Sequence, residues 1–286
     1  MLIFFAYKER WPEHHKLLTP STYIPHIVIY NNDSGCLSMD DRITEDVKRY
    51  AKEVLEMDLV GIAPIERYAD APPEFHPQQF IPDAKAIITM GLVHNPDMVQ
   101  ESHINKAKSV VEIHGMNTEN LRAGYKMSRY IQKKWGYRSG ATGLPVHLPE
   151  AFVKAGLQDI KGALKPAVYF SVKMAAVHGG LGKRGVNDLL IHPEHGSIVR
   201  LVSVVTQAPL TGDPLSDFDP ICDTCDRPCM KECPTGAVSV KQGDPYTKGS
   251  IDWQKCFNLL GNEALMLGYA ACLQCASVCP HSKQVR

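Results

Sequence analysis

Eight of the nine cysteines in this 286-residue chain fall in its last 65 residues, as Cys222, Cys225, Cys229 and Cys233 before Pro234, then Cys256, Cys272, Cys275 and Cys279 before Pro280. Cysteines two residues apart bring two thiolates onto one metal, and tetrahedral zinc accepts such pairs as readily as iron does. Three things favour two four-iron clusters over two zinc ions. Each group holds three local cysteines rather than two pairs. A Cys-Pro closes both runs, and Thr235-Gly236-Ala237-Val238 follows the first, where a short strand is expected. The grouping is that of metal ligands rather than of a disulfide framework, which suits a reducing compartment. Cys36 stands apart and reads as a buried or loop thiol.

The complement fits a two-cluster ferredoxin pattern, in which each run gives three cysteines to one cube and the fourth, followed by proline, crosses to the other. On that pattern Cys222, Cys225, Cys229 and Cys279 hold the first 4Fe-4S cluster, and Cys233, Cys256, Cys272 and Cys275 hold the second. There are two departures. Arg227-Pro228 lengthens the gap before Cys229 to three residues. Fifteen residues separate Cys256 from Cys272, so ligation by Cys256 needs an intervening helix to fold back.

The chain is long enough for one large domain and one small one. Lys plus Arg and Asp plus Glu both number 31, and no long basic run occurs. Binding through phosphate neutralisation is therefore not advertised, and a nucleic-acid partner is not expected. The apolar start Met1 to Tyr7 is cut off at once by Lys8, Glu9 and Arg10, too short to span a bilayer. No leader or twin-arginine pair is read there, so cytoplasmic residence without a membrane is expected.

Residues 1–40 read as an irregular arm, 41–210 as an α+β domain and 211–286 as the cluster domain. From Asp41, Val47, Tyr50, Ala51, Val54 and Leu55 recur at helical spacing, with Thr44 as the expected cap. Leu59 to Ala63 and Ala84 to Val93 read as buried strands. Leu121, Tyr125, Ser128 and Trp135 suggest a helix ending near Gly136, and a further helix is expected over Lys165 to Val177. The turn Pro193-Glu194-His195-Gly196 precedes the strand Ile198 to Val205, and a Pro/Asp-rich linker, Pro209 to Pro220, leads to the cysteines. Helices and strands without a regular βαβ rhythm argue for α+β layers.

Between the third helix and the last strand lies Gly179-Gly180-Leu181-Gly182-Lys183-Arg184-Gly185. Four glycines within seven residues let backbone approach a phosphate or a flat macrocycle, or simply turn tightly from helix to strand. The G-x-G-x-x-G order follows a helix here, not the strand that a dinucleotide fingerprint requires. Lys183 and Arg184 read either as partners of an anionic ligand or as solvated cations.

Taken in order, Gly180-Leu181-Gly182-x-x-Gly185, Leu189-Leu190-Ile191-x-Pro193-Glu194-x-Gly196-x-x-x-Arg200, Thr206-x-x-Pro209-Leu210 and the two cysteine runs resemble the corrinoid-dependent reductive dehalogenases and their relatives, the epoxyqueuosine reductases. The resemblance runs from about Ile43 to the C-terminus. It implies a nitroreductase-like α+β domain that holds cobalamin with no protein ligand on its lower face, beside a two-cluster ferredoxin-like domain. Electrons would pass through both clusters to cobalt, which cleaves a carbon-halogen or carbon-oxygen bond. The absence of a D-x-H-x-x-G segment agrees with cobalt unligated by protein.

By the same resemblance Gly179, Gly180, Leu181, Gly182, Lys183, Arg184, Gly185 and Gly196 would contact the corrinoid. Tyr125 would donate the proton, and Arg200 would hold an anionic intermediate or a corrinoid side chain. His114, His178, His192 and His195 are candidates for polar contacts. Lys183 and Arg184 stand where the family has glutamate or tryptophan. The chain stops seven residues after Cys279, without the helical-repeat domain of many epoxyqueuosine reductases, which tilts the expectation toward a dehalogenase-type reductase. Such an enzyme takes a small-molecule substrate and a low-potential donor such as ferredoxin or flavodoxin, and a homo-oligomer is possible. The alternatives are an epoxyqueuosine reductase acting on tRNA, a ferredoxin-like electron-transfer protein without corrinoid, and a flavin in the first domain.

Overall fold

The structure, a computed structural model, describes residues 38–100, 106–142, 170–239, 246, 251–252, 255–256 and 272–283, all within one compact unit, Leu37–Arg286. Cys36 and most of the arm expected over residues 1–40 lie outside them. Helix α1 spans Met39–Arg49 and widens into a π-turn at Tyr50–Val54. Its cap is Ser38, whose hydroxyl accepts from the Asp41 amide at 3.1 Å, with Asp40 and Asp41 in the first turn and Lys48 and Arg49 in the last. Thr44, the expected cap, lies inside the helix. Its hydroxyl donates to the Asp40 carbonyl at 2.7 Å, because three residues of polar sequence ahead of it already favour helix.

Strands β1 (Leu59–Pro64) and β2 (Ala86–Val93) follow, then the short helix α2 (Pro96–Gln100) and the 30-residue helix α3 (Lys106–Trp135). After β3 (Ser139–Thr142) come helix α4 (Val172–His178), the two-residue strands β4 (Lys183–Arg184) and β5 (Leu190–Ile191), and strand β6 (Val199–Thr206). The helix expected from Lys165 is seen from Val172, capped by Ser171. Its earlier part lies outside the described residues. The main sheet has the order β1-β2-β6-β3 with every pair antiparallel.

Both faces of this sheet are covered, and strand alternation divides the core. Ala86, Ile88, Met90, Val202 and Val204 meet α1 and α3 residues such as Val47, Ala123, Met127 and Ile131. Ile87, Ala63 and Val205 point the other way, toward Met174 and Ala175 of α4. The chain is thus a helix-sheet-helix stack. In α3 the inward stripe is Ile113, Met116, Asn120, Ala123, Met127 and Ile131. Gly124 lets the helix sit close, since a Cβ there would lie 2.8 Å from Val202 Cγ2. Leu121 and Tyr125, the residues from which this helix is legible in the sequence, are 38% and 65% exposed.

The Pro/Asp-rich segment is strapped to the body rather than hanging free as a linker. The Thr211 amide donates to Thr44 Oγ1 at 2.8 Å and its hydroxyl to Asp41 at 2.6 Å. Asp213 exchanges bonds with the Ile62 backbone, through its amide at 2.9 Å and its carboxylate at 2.8 Å, and pairs with Lys48. Arg67 donates to the Asp213 carbonyl at 2.7 Å. The edge of β1 is thereby covered, which removes a row of open backbone groups.

One buried charge ties α1 to α3. The Asp46 carboxylate accepts from Arg49 at 2.6 Å, Lys134 at 2.7 Å, Tyr130 at 2.8 Å and the Trp135 indole at 3.0 Å. Burial works to raise its pKa, but the bonds from Lys134, Tyr130 and Trp135 and the Lys134 charge outweigh it, and the pKa is lowered. A carboxyl whose folded pKa is depressed stabilises above its unfolded value and loses that contribution as pH falls through the folded one. Asp46→Ala is expected to cost about 3 kcal/mol at neutral pH, from the loss of hydrogen bonds to a charged group, measured by urea unfolding. The difference from wild type should shrink as pH is lowered below about 4.

Candidate functional site

The first cysteine run is shaped by backbone. Arg227 adopts a left-handed conformation (φ 51°) and caps the short helix α5 (Pro228–Lys231), with Pro228 in its first turn. The inserted Arg227-Pro228 therefore turns the chain back so that Cys229 joins Cys222 and Cys225. The Arg227 amide donates to Cys225 Sγ at 3.4 Å, and its guanidinium to the Cys222 carbonyl at 3.2 Å. After Cys233, Gly236 turns at φ 60° and the Ala237 amide donates to Cys233 Sγ at 3.2 Å. The expected short strand is a single bridge, Val238 to Ile251. The second run enters helix α6 (Gln274–Ser277) and then α7 (Pro280–Lys283).

The thiols form two electrostatic neighbourhoods. Burial, then Cys279, Cys222 and Cys225, push the Cys229 thiol up to about 11. Burial, then Cys272 and Cys233, push Cys256 up to about 11, against a lowering influence from Lys173. Cys275, partly buried by exposed area, is raised by burial and then by Cys272, Cys256, Cys229 and Cys233. Cys222 is raised by burial, against an amide bond from Val186. For Cys233, burial is outweighed by bonds from Thr235, Val238 and Ala237, and its pKa is lowered. Cys222, Cys225, Cys229 and Cys279 thus adjoin one another, as do Cys233, Cys256, Cys272 and Cys275, and Cys275 feels both sets. The segment that returns the chain from Cys256 to Cys272 lies outside the described residues.

Buried thiols with raised pKa values stay protonated unless a cation compensates the thiolates, which iron does on coordination. Among the described residues no set of three or more His, Cys, Asp and Glu is placed to hold a single metal ion. The donor chemistry, four soft sulfurs in each neighbourhood with amide donors to sulfur, fits an iron-sulfur cube.

The glycine segment is packed closely against the rest of the chain. The free face of Gly180 (φ 75°) is closed by the Pro214 carbonyl, 2.1 Å from where a Cβ would stand, and that of Gly182 (φ 147°) by the Ile191 carbonyl at 2.2 Å. Gly179 packs on Gly61, and Gly185 on Asn187 and Ile191. The amides of Gly179, Gly180, Leu181 and Gly185 donate to Ala175, Val177, Ala176 and Leu189 carbonyls. Lys183 and Arg184 form β4, paired to β5, and Arg184 pairs with the buried Asp188. Gly179, Gly180 and Gly182 approach the protein's own backbone and Gly185 the Asn187 and Ile191 side chains, the packing of a tight turn, which was the other reading of these residues.

The hairpin between β4 and β5 carries the body onto the thiols. Val186 packs against the small cluster of Cys229, Ala237, Val238 and Ile251, and Asn187 Nδ2 donates to the Cys275 carbonyl at 3.2 Å. A second seam forms at Gly196 (φ 59°), where a Cβ would stand 2.5 Å from the His281 backbone. Next to it the Ser197 amide donates to Ser282 Oγ at 3.1 Å. The interlayer core Val99, Ile113, Ile198, Leu273 and Ala276 closes the join. Sequence reading missed Val186, Asn187 and Ser197. For Val186 and Asn187 the signal is the Gly185 to Asp188 turn ahead of the apolar pair Leu190-Ile191, which says turn but not what the turn touches.

Tyr125 lies exposed on α3, and Arg200 on β6 donates to Asn117 Oδ1 at 2.7 Å; the structure does not bring them together with the thiols. Near Arg200 is a histidine overlooked in the sequence, His94. It is buried, 3.4 Å from Glu112 Oε1 but without a hydrogen bond at Nδ1, and burial and Arg200 push its pKa down to about 3. Of the four histidines singled out, His178 bonds the Tyr246 hydroxyl at 2.9 Å. His192 accepts at Nδ1 from the Glu194 amide at 3.1 Å and stacks on His195 at 4.8 Å. His114 accepts at its carbonyl from Thr118 at 2.9 Å. No helix among the described residues is long and apolar enough to cross a membrane.

With this geometry the chain was compared with known proteins. No protein-family profile matches it. An epoxyqueuosine reductase of Listeria monocytogenes is 25% identical over 222 residues, 73% of this chain and 51% of that one. Among solved structures, an epoxyqueuosine reductase bound to an epoxyqueuosine-modified tRNA-Tyr stem loop superposes with a TM-score of 0.51 at 17% identity, over 85% of this chain and 66% of that one. A reductive dehalogenase described for B12-dependent dehalogenation gives 0.58 at 19% identity, over 88% and 34%.

The chain is a relative of the epoxyqueuosine reductases and shares its fold with the reductive dehalogenases.

It spans about half the length of the curated relatives it matches. The seam at Gly196 is a sharp test of how the cysteine tail is held. Gly196→Ala is expected to destabilise the protein by about 2 kcal/mol or more, since it adds left-handed strain and overlaps backbone. Thermal unfolding and iron per chain should both fall relative to wild type.

Proposed function

We propose that this chain is an iron-sulfur oxidoreductase of the epoxyqueuosine reductase kind, passing single electrons through two 4Fe-4S clusters toward reductive cleavage of a carbon-oxygen bond. The observation that carries this reading is the gathering of eight cysteines into two sets of four. Cys222, Cys225, Cys229 and Cys279 would hold the first cluster and Cys233, Cys256, Cys272 and Cys275 the second. Support for the substrate class comes from the curated relatives, which are epoxyqueuosine reductases, and from the neighbour bound to a tRNA stem loop. The expectation from balanced charge that nucleic acid is not a partner gives way here to a modified tRNA. A low-potential donor such as ferredoxin or flavodoxin would supply the electrons. The architecture implied is the nitroreductase-like layer domain, 41–210, followed by the ferredoxin-like domain, 211–286.

Corrinoid is the electron acceptor that the resemblance supplies, with its lower face unligated, and the dehalogenase neighbour is described as B12-dependent. The glycine segment does not fit as its cradle, because protein backbone closes the free faces of Gly180 and Gly182 and the amides of Gly179, Gly180 and Leu181 are spent inside the chain. A corrinoid seat has to be built from other residues. Protein made without air and with cobalamin supplied is expected to hold about eight irons and eight acid-labile sulfides per chain. Corrinoid absorption bands at one per chain support a corrinoid-dependent reductase. A spectrum of iron-sulfur absorption alone supports an electron-transfer protein, and zinc in place of iron removes the reading.

The deciding experiment for the substrate is complementation. Expression in a strain lacking its epoxyqueuosine reductase should restore queuosine to tRNA, and unchanged tRNA would count against this substrate. The second reading, a dehalogenase-type reductase, is favoured by the higher structural similarity to that neighbour. Tyr125 belongs to that reading, since the donor there is a tyrosine whereas in epoxyqueuosine reductases it is an aspartate. Tyr125→Phe is expected to slow dehalogenation at least about tenfold and to leave epoxyqueuosine reduction at the wild-type rate, both measured with iron content held equal.

A further inference from the structure

No long basic run occurs in the chain, but the second half of α3 lines up cations that the sequence sets three and four residues apart. Between Glu119 and Glu150 there are six Lys and Arg and no Asp or Glu, although the whole chain is balanced at 31 of each sign. Four of the six, Arg122, Lys126, Arg129 and Lys133, stand at i, i+4, i+7 and i+11, which puts them on one face of the helix along roughly 16 Å. All four are exposed, and they lie across the helix from the buried stripe that includes Met127 and Ile131. Little on the protein offsets their charge. Arg122 meets Glu119 at 3.3 Å with both side chains well exposed, a contact of small worth in water. Arg129 donates to the neutral Gln132 at 3.3 Å, and Lys126 and Lys133 meet no carboxylate among the described residues.

We propose that this face of α3 docks the phosphate backbone of an RNA stem loop, the arm that carries the modified nucleoside. The role rests on the tRNA reading above and names the surface that reading needs. Cations at regular intervals on a rigid rod suit a polymer with one phosphate per nucleotide, and each phosphate neutralised releases counterions, so binding is tight at low salt and weakens steeply as salt rises. An acidic electron donor is the other partner that such charge could take, and its place is near the clusters. Among the described residues α3 packs with the cysteine tail through its early turns, where Val110 and Ile113 meet Leu273 and Ala276. The cationic face begins about 13 Å further along the helix, which favours RNA over a redox partner.

The test is binding of a fluorescent tRNA-Tyr stem loop to the whole chain, anaerobically reconstituted, over a salt series. Wild type is compared with the neutral triple variant Lys126→Ala/Arg129→Ala/Lys133→Ala and the charge-keeping pair Lys126→Arg/Lys133→Arg. The triple variant is expected to bind on the order of tenfold more weakly at low salt, and its slope of log affinity against log salt to flatten by about 2 to 3, one phosphate contact for each cation removed. The charge-keeping pair should match wild type, with iron per chain the same in all three because the positions are exposed. Equal affinity and slope in the triple variant overturn the inference, as does weaker binding with an unchanged slope or with lost iron. A triple variant that accepts electrons poorly from ferredoxin while holding the stem loop normally overturns it in favour of an acidic protein partner. Wild type that restores queuosine while the triple variant binds as tightly leaves the tRNA reading standing without this surface. Wild type that neither binds the stem loop nor restores queuosine overturns both.

Discussion

Eight thiols gathered from two runs of the chain, Cys229 and Cys279 buried and the rest partly so, are the constraint on which this molecule turns. Burial raises Cys229, Cys256 and Cys275 well out of the range where thiolates form at neutral pH, and each neighbour adds to the repulsion. A chain can keep such a set in one place only if something rigid walls it in and something positive compensates the sulfur charge. The wall is the body. Val186, Asn187, Gly196 and Ser197 all meet the cysteine tail from short turns, that at Gly196 closed by paired backbone bonds with His192.

That wall is built on the sheet. Strand β2 is buried on both faces, with Ala86, Ile88 and Met90 against α1 and α3 and Ile87 against α4. Because α4 is packed on the sheet, its C-terminal turn at Gly179 is pressed onto Gly61 of β1, and the hairpin that follows leaves in a fixed direction. The strap from Pro209 to Pro214 closes the same edge and delivers the chain to the first cysteine run. The segment that joins body and tail is in this way part of the body's packing.

Much of this was legible beforehand where the signal is local. Strands β1, β2 and β6 follow from apolar runs, and the end of α3 from Gly136. The division of the cysteines into two groups follows from their spacing and the two Cys-Pro pairs. Signals failed where the same local pattern serves two ends. A Thr at Thr44 caps a helix or back-bonds within it, and here Ser38 had already taken the cap. Tyr125 and Leu121 announce a helix yet face outward, because the apolar stripe that decides α3's orientation is set by Met116, Ala123 and Met127. Four close glycines invite a ligand or another stretch of backbone, and the carbonyls of Pro214 and Ile191 arrive from 34 and nine residues further along the chain to fill the space.

Ligand type and number, the alternation of layers and the placing of turns are encoded residue by residue, since they depend on side-chain chemistry and on φ preferences that each position carries with it. Partnership between distant positions is not. That His281 backbone lies on Gly196, that Val186 packs against the cluster around Cys229, and that one buried carboxylate at Asp188 gathers Lys173 and Arg184 were settled when separate elements packed, because desolvation and close approach act between surfaces that exist only once the chain has folded.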